Sequence, residues 1–512
     1  MAKGCNLIVE ALAGSGKTFT AMYGIQAIFG LLDQSIVPSR EQQAVWDRLC
    51  EGRKPKNIRY NAFNKKIVTA CDKDYAWLVR DLKQEGVDLE FKTIHATGYS
   101  ILRKGLDDWV KPNGWRVKNI IQDMTGLTIR DIAQDRKYGP LFVTAVNQLV
   151  DLARVNLLPA DTATYDYLIK HYDIEFDSVR NRDDVFQMAT EILTEKLLDV
   201  EHEIDWTDMV WLPLALDLPV SKQDLVIVDE AQDLSPMQRE LVLKTGHRFM
   251  FVGDKHQAIY GFAGADVTSI AKITDRLAES KRGVKILPLT TTRRCGYEIV
   301  KEAHGIVEHF RAHEDNHAGM VESATEATFD PQEGDMVLCR INAPLLGHVF
   351  KLIKEGRKAT IVGRDLAQQF QNLIKKLSGK KVTTCEDLIE KVSDYYERII
   401  DNLGDDDKAQ YARMAIEDQQ VCLLMVIGEA GTLKDIPALL KKAFVEESDP
   451  DAIAFSSIHR AKGLESSTVF ILKPHLLPHP MAKSDWAKGQ EMNLKYVGIT
   501  RAIDRLVWVN ED

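Results

Sequence analysis

Three short stretches of this chain hold acidic, basic and amide side chains at spacings suited to phosphate chemistry. The first is Ala11-Leu12-Ala13-Gly14-Ser15-Gly16-Lys17-Thr18, which follows the apolar run Leu7-Ile8-Val9. A strand, a loop of small residues and a helix start let backbone N–H groups turn inward around an anion, and the helix N-terminus adds partial positive charge. Lys17 can reach the outer phosphates of a nucleoside triphosphate, and the Thr18 hydroxyl can ligate Mg²⁺. Ala11 stands where the usual pattern has its first glycine, a small steric change that need not abolish binding. The second stretch runs Leu225-Val226-Ile227-Val228-Asp229-Glu230-Ala231-Gln232-Asp233. Four apolar residues make a buried strand that delivers two carboxylates at its C-terminal end, where open α/β sheets bind ligands. There Asp229 suits the Mg²⁺ that bridges the terminal phosphates, and Glu230 suits the attacking water as its base. The third stretch, Phe251–Phe262, is again a strand ending in polar residues, with Gln257 placed to sense a γ-phosphate. Tyr260 and Phe262 follow. On composition alone they read as core rings, a reading that Gly261 and Gly264 beside them weaken in favour of a loop. In such a loop they can stack on nucleobases, at about 1–3 kcal/mol per base.

The elements that position these groups are short buried-type strands alternating with helical patterns, the mark of an α/β architecture with parallel sheets. Expected strands are Leu7–Ala11, Ile58–Phe63, Leu225–Val228 and Phe249–Val252, then Met336–Cys339, Thr360–Val362, Ala452–Phe455, Val469–Leu472 and Leu506–Val509. Two mostly helical stretches, about 105–200 and 366–440, read as insertions. At 512 residues several domains are expected. The seven cysteines (5, 50, 71, 295, 339, 385 and 422) form no C-x-x-C pair, so neither a disulfide framework nor a zinc site is suggested, and a reducing intracellular compartment is expected. No apolar run is long enough to span a membrane, and no signal-peptide core precedes the loop. The net charge of −10 argues against a protein that coats nucleic acid by bulk electrostatics, while leaving room for a local basic groove. His313-Glu314-Asp315-Asn316-His317 reads as a solvated turn rather than a metal site, and Gly404-Asp405-Asp406-Asp407 as a solvated acidic loop.

Taken together, the motifs resemble those of superfamily 1 helicases of the UvrD/Rep type. Asn61-Ala62-Phe63-Asn64-Lys65 is similar to the first DNA-contacting motif of that family, and Thr93-Ile94-His95-Ala96-Thr97-Gly98 to the second. Asp205-Trp206-Thr207-Asp208-Met209 resembles the segment ahead of the Asp-Glu strand. Leu289-Thr290-Thr291-Thr292-Arg293-Arg294 resembles the start of the second motor domain. Ser457–Glu465 and Tyr496–Ala502 resemble the fifth and sixth motifs. The order is the family's from residue 11 to residue 502.

The resemblance implies two RecA-like P-loop NTPase domains, each with a parallel sheet and each interrupted by a mostly helical insertion. The first motor domain would be 1–104 and 201–284, with insertion 105–200. The second would be 285–365 and 441–512, with the short insertion 366–440. ATP and Mg²⁺ are the implied cofactors. They would be held by Ala11, Gly14, Ser15, Gly16, Lys17, Thr18 and Asp229, with Gly463 and Glu465 against the nucleotide. Lys17, Glu230, Gln257, Arg294 and Arg501 are the implied catalytic set, the two arginines pointing at the γ-phosphate. Single-stranded DNA would meet Phe63, Asn64, Thr93, His95, Tyr260, Phe262, Ser457 and His459.

The implied activity is ATP-driven 3′→5′ translocation on single-stranded DNA with duplex unwinding. Its alternatives are a translocase that displaces proteins with little unwinding, an RNA helicase, or a nucleotide-gated scaffold, the last opposed by Lys17, Glu230, Gln257 and Arg501. Single-stranded and partly duplex DNA are the expected partners. No membrane is expected, nor more than a monomer or weak oligomer, and the location is the cytoplasm or another DNA-containing compartment. The chain departs from the family in several places. The ten residues ahead of Ala11 hold no glutamine to read adenine. Arg293 replaces an aromatic, Phe262 a tryptophan and Ala263 an arginine, and the second insertion is short.

Overall fold

The computed structural model describes residues 4–511 except 107–109, 173, 175, 177–178, 201, 260–267, 380–381, 402, 404–406, 448 and 483–484. Tyr260, Phe262 and Ala263, and the acidic loop at 404–406, therefore lie outside the described residues. The chain forms two units, one comprising the residues up to Ala11 with Gly16–Leu289 and the other Thr290–Asp512 with Leu12–Ser15. No helix among the described residues is long and apolar enough to cross a membrane.

The first unit is built on β1 (Asn6–Ala11), β2 (Asn57–Ala62), β3 (Asp88–Thr93), β6 (Leu225–Val228), β7 (Phe249–Gly253) and β8 (Val284–Leu289). The short strands β4 (Lys111–Pro112) and β5 (Glu203–Ile204) pair apart from them. The main sheet runs β3-β2-β6-β7-β1-β8, with every pairing parallel. A parallel sheet covered on both faces needs apolar residues on both faces of its central strands. β6 meets this with Leu225, Val226, Ile227 and Val228 all buried. The edge strands do not need it. β3 (Asp-Leu-Glu-Phe-Lys-Thr) alternates, and β8 contains Lys285 and Pro288, which an edge tolerates. Neither was expected from the sequence, for that reason.

Helix α1 (Lys17–Phe29) leaves β1 through the glycine loop, α2 (Arg40–Cys50) follows it, and α3 (Lys65–Asp74), α4 (Ala76–Gln84) and α5 (Ile94–Gly105) flank β2 and β3. Between β4 and β5 lie the helices Arg116–Thr125, Ile129–Gln134, Phe142–Asn156, Thr162–Tyr172 and Arg182–Glu191. They have a core of their own around Ile121, Phe142, Val146, Leu149, Tyr165 and Leu168.

In the second unit, β9 (Thr291–Thr292) and β10 (Arg311–Ala312) pair with each other. The main sheet joins β11 (Met320–Thr325), β12 (Met336–Cys339), β13 (Ala359–Val362), β14 (Phe444–Val445), β15 (Ile453–Ser457), β16 (Ser466–Leu472) and β17 (Ala502–Asn510) in the order β11-β17-β16-β12-β15-β13-β14, again all parallel. The helices Arg364–Leu377, Cys385–Asp401, Asp407–Glu429 and Ile436–Ala443 follow β13. Leu388, Val392, Leu423 and Val426 share one continuous core with Val337 and Phe455 of the sheet, so this helical stretch packs onto the sheet instead of closing a separate core. Asp418 fixes it further by accepting the N–H groups of Asn342 and Ala343, at 2.9 and 2.7 Å.

Candidate active site

Because every strand of the first sheet points the same way, the loops after β1, β2, β3, β6 and β7 open at one edge. The loop after β1 reverses direction on Gly14 (φ +65°) and Gly16 (φ +82°), a left-handed backbone that glycine adopts without Cβ strain. Ser15 closes the turn, its N–H and hydroxyl both donating to the Leu12 carbonyl. Ala11 is the buried last residue of β1 and pairs with Leu289. It sits in extended backbone, which is why alanine serves where glycine is the common choice.

The carboxylates after β6 meet the first turn of α1. Thr18 Oγ1 donates to Asp229 Oδ2 at 3.1 Å, and Lys17 Nζ lies 2.7 Å from Glu230 Oε1. Burial pushes the Lys17 ammonium down, but Glu230, Asp229 and Asp254 outweigh it and hold the ammonium above its ordinary value. Burial, then the neighbouring Glu230, pushes the Asp229 carboxyl above the usual carboxylate range. Glu230 takes a left-handed backbone (φ +53°), an outlier for a residue with a Cβ. Gln257 is buried and donates to Asp254 Oδ2 at 2.7 Å.

Four residues of this cluster were given no role by the sequence reading. Tyr60, on β2 and fully buried, donates its hydroxyl to Asp229 Oδ2 at 2.7 Å. Asp254 follows β7 directly and is itself buried. Gln232 donates to Glu230 and accepts the Asp254 N–H at 3.0 Å, tying the ends of β6 and β7 together. Gln42 comes from α2, where it forms a capping box with Ser39, and its amide donates to Thr20 Oγ1 at 3.3 Å. A Cβ on Gly16 would lie 3.5 Å from Gln42 Nε2, so a glutamine does stand beside the loop, from downstream of it. The spacing Ser39-x-x-Gln42 ahead of a helix was the available signal.

Around the same edge, Phe63 is 41% exposed just after β2. Asn64 caps α3 by accepting the Ile67 N–H, and Thr93 caps α5 by accepting that of Ala96, so both side chains hold helix starts. Burial pushes the His95 imidazole below its ordinary pKa. Asp205 and Asp208 bind Arg154, which is fully buried, at 2.6–3.0 Å, and Asp208 also takes Arg116 at 2.5 Å.

In the second unit, Arg294 pairs with Glu465 at 2.5 Å and donates to the Thr500 carbonyl. Arg501 is 1% exposed, and its guanidinium donates to the Val497 and Leu464 carbonyls and to Thr500 Oγ1. Gly463 has φ +87° with open space where a Cβ would stand. Ser457 ends β15, and burial followed by the nearby Arg340 brings the His459 imidazole down to about 4.

A parallel sheet, a left-handed glycine loop running into a helix, and a Thr–Asp pair beside a Lys–Glu pair define a P-loop nucleoside triphosphatase fold. A family model for the UvrD/REP helicase N-terminal domain matches residues 2–278, more than half of the chain, and the chain belongs to that helicase family. Its relatives include the F-box DNA helicase protein 1 of Schizosaccharomyces pombe, 39% identical over 85 residues, which are 16% of this chain and 9% of that protein. An ATP-dependent helicase/nuclease of Lacticaseibacillus casei is 32% identical over 187 residues, 33% of this chain and 13% of that one. The chain thus aligns with only a small part of either relative. Among solved structures, the complex of Arterivirus nonstructural protein 10 (helicase) with DNA aligns over 98% of this chain and 60% of its own at 11% identity. The TM-score is 0.33, too slight a likeness to bear on function.

Proposed function

We propose that this chain is an ATP-dependent DNA helicase that moves 3′→5′ along single-stranded DNA and unwinds duplex. The observation that carries the reading is the convergence of Lys17, Thr18, Asp229 and Glu230 at the strand ends of a chain in the UvrD/REP family. Hard oxygen donors and clustered carboxylates suit Mg²⁺, with Thr18 and Asp229 as its protein ligands. The ion would supply charge neutralisation across the terminal phosphates.

Lys17 exchanges Glu230 for phosphate oxygens when ATP enters the loop formed by Ala11, Gly14, Ser15 and Gly16. That exchange releases Glu230 to orient water and take its proton. Gln257 senses the γ-phosphate through its amide, which now donates to Asp254. Gln42 meets a base edge by turning from Thr20 and Ser39, which its buried amide now holds. Arg294 and Arg501 give up donors now spent within their own unit to meet charge on the γ-phosphate, a contribution of about 10³–10⁵ in rate for such arginines. Gly463 and Glu465 lie against the nucleotide. Phe63, Asn64, Thr93, His95, Ser457 and His459, with Tyr260 and Phe262, carry the single strand. On this reading the motor domains are 1–104 with 201–284 and 285–365 with 441–512.

The test is ATP hydrolysis measured with single-stranded DNA, duplex DNA or RNA as stimulant, beside strand displacement from substrates with a 3′ or a 5′ tail. Single-stranded DNA should stimulate most, and Lys17→Ala should abolish hydrolysis. Undiminished hydrolysis by Lys17→Ala would overturn the assignment.

A further inference from the structure

Away from the strand-end edge, Trp115 and Trp206 are each 60% exposed. Exposed large apolar rings are informative when they are neighbours, because isolated ones are common. These two are neighbours. β4 and β5 pair Lys111 with Glu203 and Pro112 with Ile204, which sets the turn carrying Trp115 beside the turn carrying Trp206. A Cβ placed on Gly114 would lie 3.6 Å from Trp206 Nε1.

Their bases are rigid. Arg116, next to Trp115, is buried and binds Asp208 at 2.5 Å. Asp205, next to Trp206, exchanges main-chain to carboxylate hydrogen bonds of 2.8 Å with Asp208. Arg154 bridges both carboxylates. The ion network clamps the two turns together and leaves the rings in water. The backbone beneath the rings is thus already ordered, and binding does not have to order it. Lysines beside the rings can meet an anionic partner. Lys118 Nζ lies 4.5 Å from the Trp115 ring centre, and neither it nor Lys111 has a carboxylate partner among the described residues. Glu203, opposite Lys111 in the β4–β5 pairing, accepts a hydrogen bond from Asn113 at 2.6 Å and keeps its charge.

We propose that Trp115 and Trp206 form an accessory single-stranded nucleic-acid contact, on which bases stack while Lys111 and Lys118 meet the phosphates. A flat ring accepts any base, so the contact is tolerant of sequence. The proposal rests on the nucleic-acid reading above and places a further hold on the strand beside the helices that follow β4.

The test is anisotropy of a labelled oligothymidylate titrated with the full chain, without nucleotide. Trp115→Ala and Trp206→Ala should each weaken binding about 5-fold or more, the range expected for loss of one stacked base. Trp→Phe at either position should keep most of the affinity. Lys118→Gln should flatten the dependence of log Kd on log salt by about 0.7. Melting temperature and DNA-independent hydrolysis should not move. If the wild type binds DNA and hydrolyses ATP in response while the double alanine variant binds equally well, this contact is overturned and the helicase reading stands. If the wild type neither binds nor responds, both fail. If the double variant changes only the sedimentation of the chain, the rings face a second copy and the proposal is overturned.

Discussion

Tyr60→Phe removes one oxygen from the most enclosed part of the site. The Tyr60 hydroxyl donates to Asp229 Oδ2 at 2.7 Å, an oxygen that otherwise receives only the longer 3.1 Å bond from Thr18. Both partners are buried, so no bulk water replaces the lost donor. A hydrogen bond to a charged group is worth about 1.5–3 kcal/mol. For a unit of this size that is a fall of about 3–12 °C in its melting temperature, at 2–4 °C per kcal/mol.

The pH dependence has a definite sign. Burial, then Glu230, already raises the Asp229 carboxyl in the folded chain, and Tyr60 opposes that rise. Without Tyr60 the carboxyl rises further. A carboxyl raised on folding costs stability as pH climbs from its unfolded to its folded pKa, so the deficit of the variant opens on the alkaline side and narrows in acid, where Asp229 is protonated in both states. The assay is calorimetric melting across pH, joined to the Mg²⁺ concentration giving half-maximal ATP hydrolysis, which should rise. A variant that melts with the wild type at neutral pH and keeps its Mg²⁺ requirement refutes the claim that Tyr60 holds Asp229 in place.

Two further outcomes follow from the buried charges. Arg154→Ala strips the guanidinium from Asp205 and Asp208 and should cost about 3–5 kcal/mol in urea denaturation of the first unit. A loss below about 1 kcal/mol would show that the network does not tie the helices after β4 to the segment ahead of β6. His459 sits near pH 4 because of burial and Arg340, below its ordinary 6.5, so the unfolded chain takes up a proton first as pH falls. Stability that is present above about pH 6.5 is therefore lost as pH drops toward 4, and His459→Gln should flatten that slope; an unchanged slope counts against it.

The central strands were legible because a strand buried on both faces has to be apolar throughout, as Leu225–Val228 and Met336–Cys339 are. The edges β3, β8 and β11 were not, since half-exposed strands carry charges and Pro288 without penalty. The loop at Ala11–Thr18 and the Asp229-Glu230 pair were also visible, because their chemistry depends on residue type at fixed local spacing. Tertiary structure alone decided who stands beside them. Tyr60, Gln42 and Asp254 come from separate strands and helices, and a one-dimensional pattern holds no distance between β2 and β6. The same limit applies to Asp205 and Asp208. Their spacing was visible from the start, but that they bind Arg154 and leave Trp206 in water depends on helices packed around a separate core.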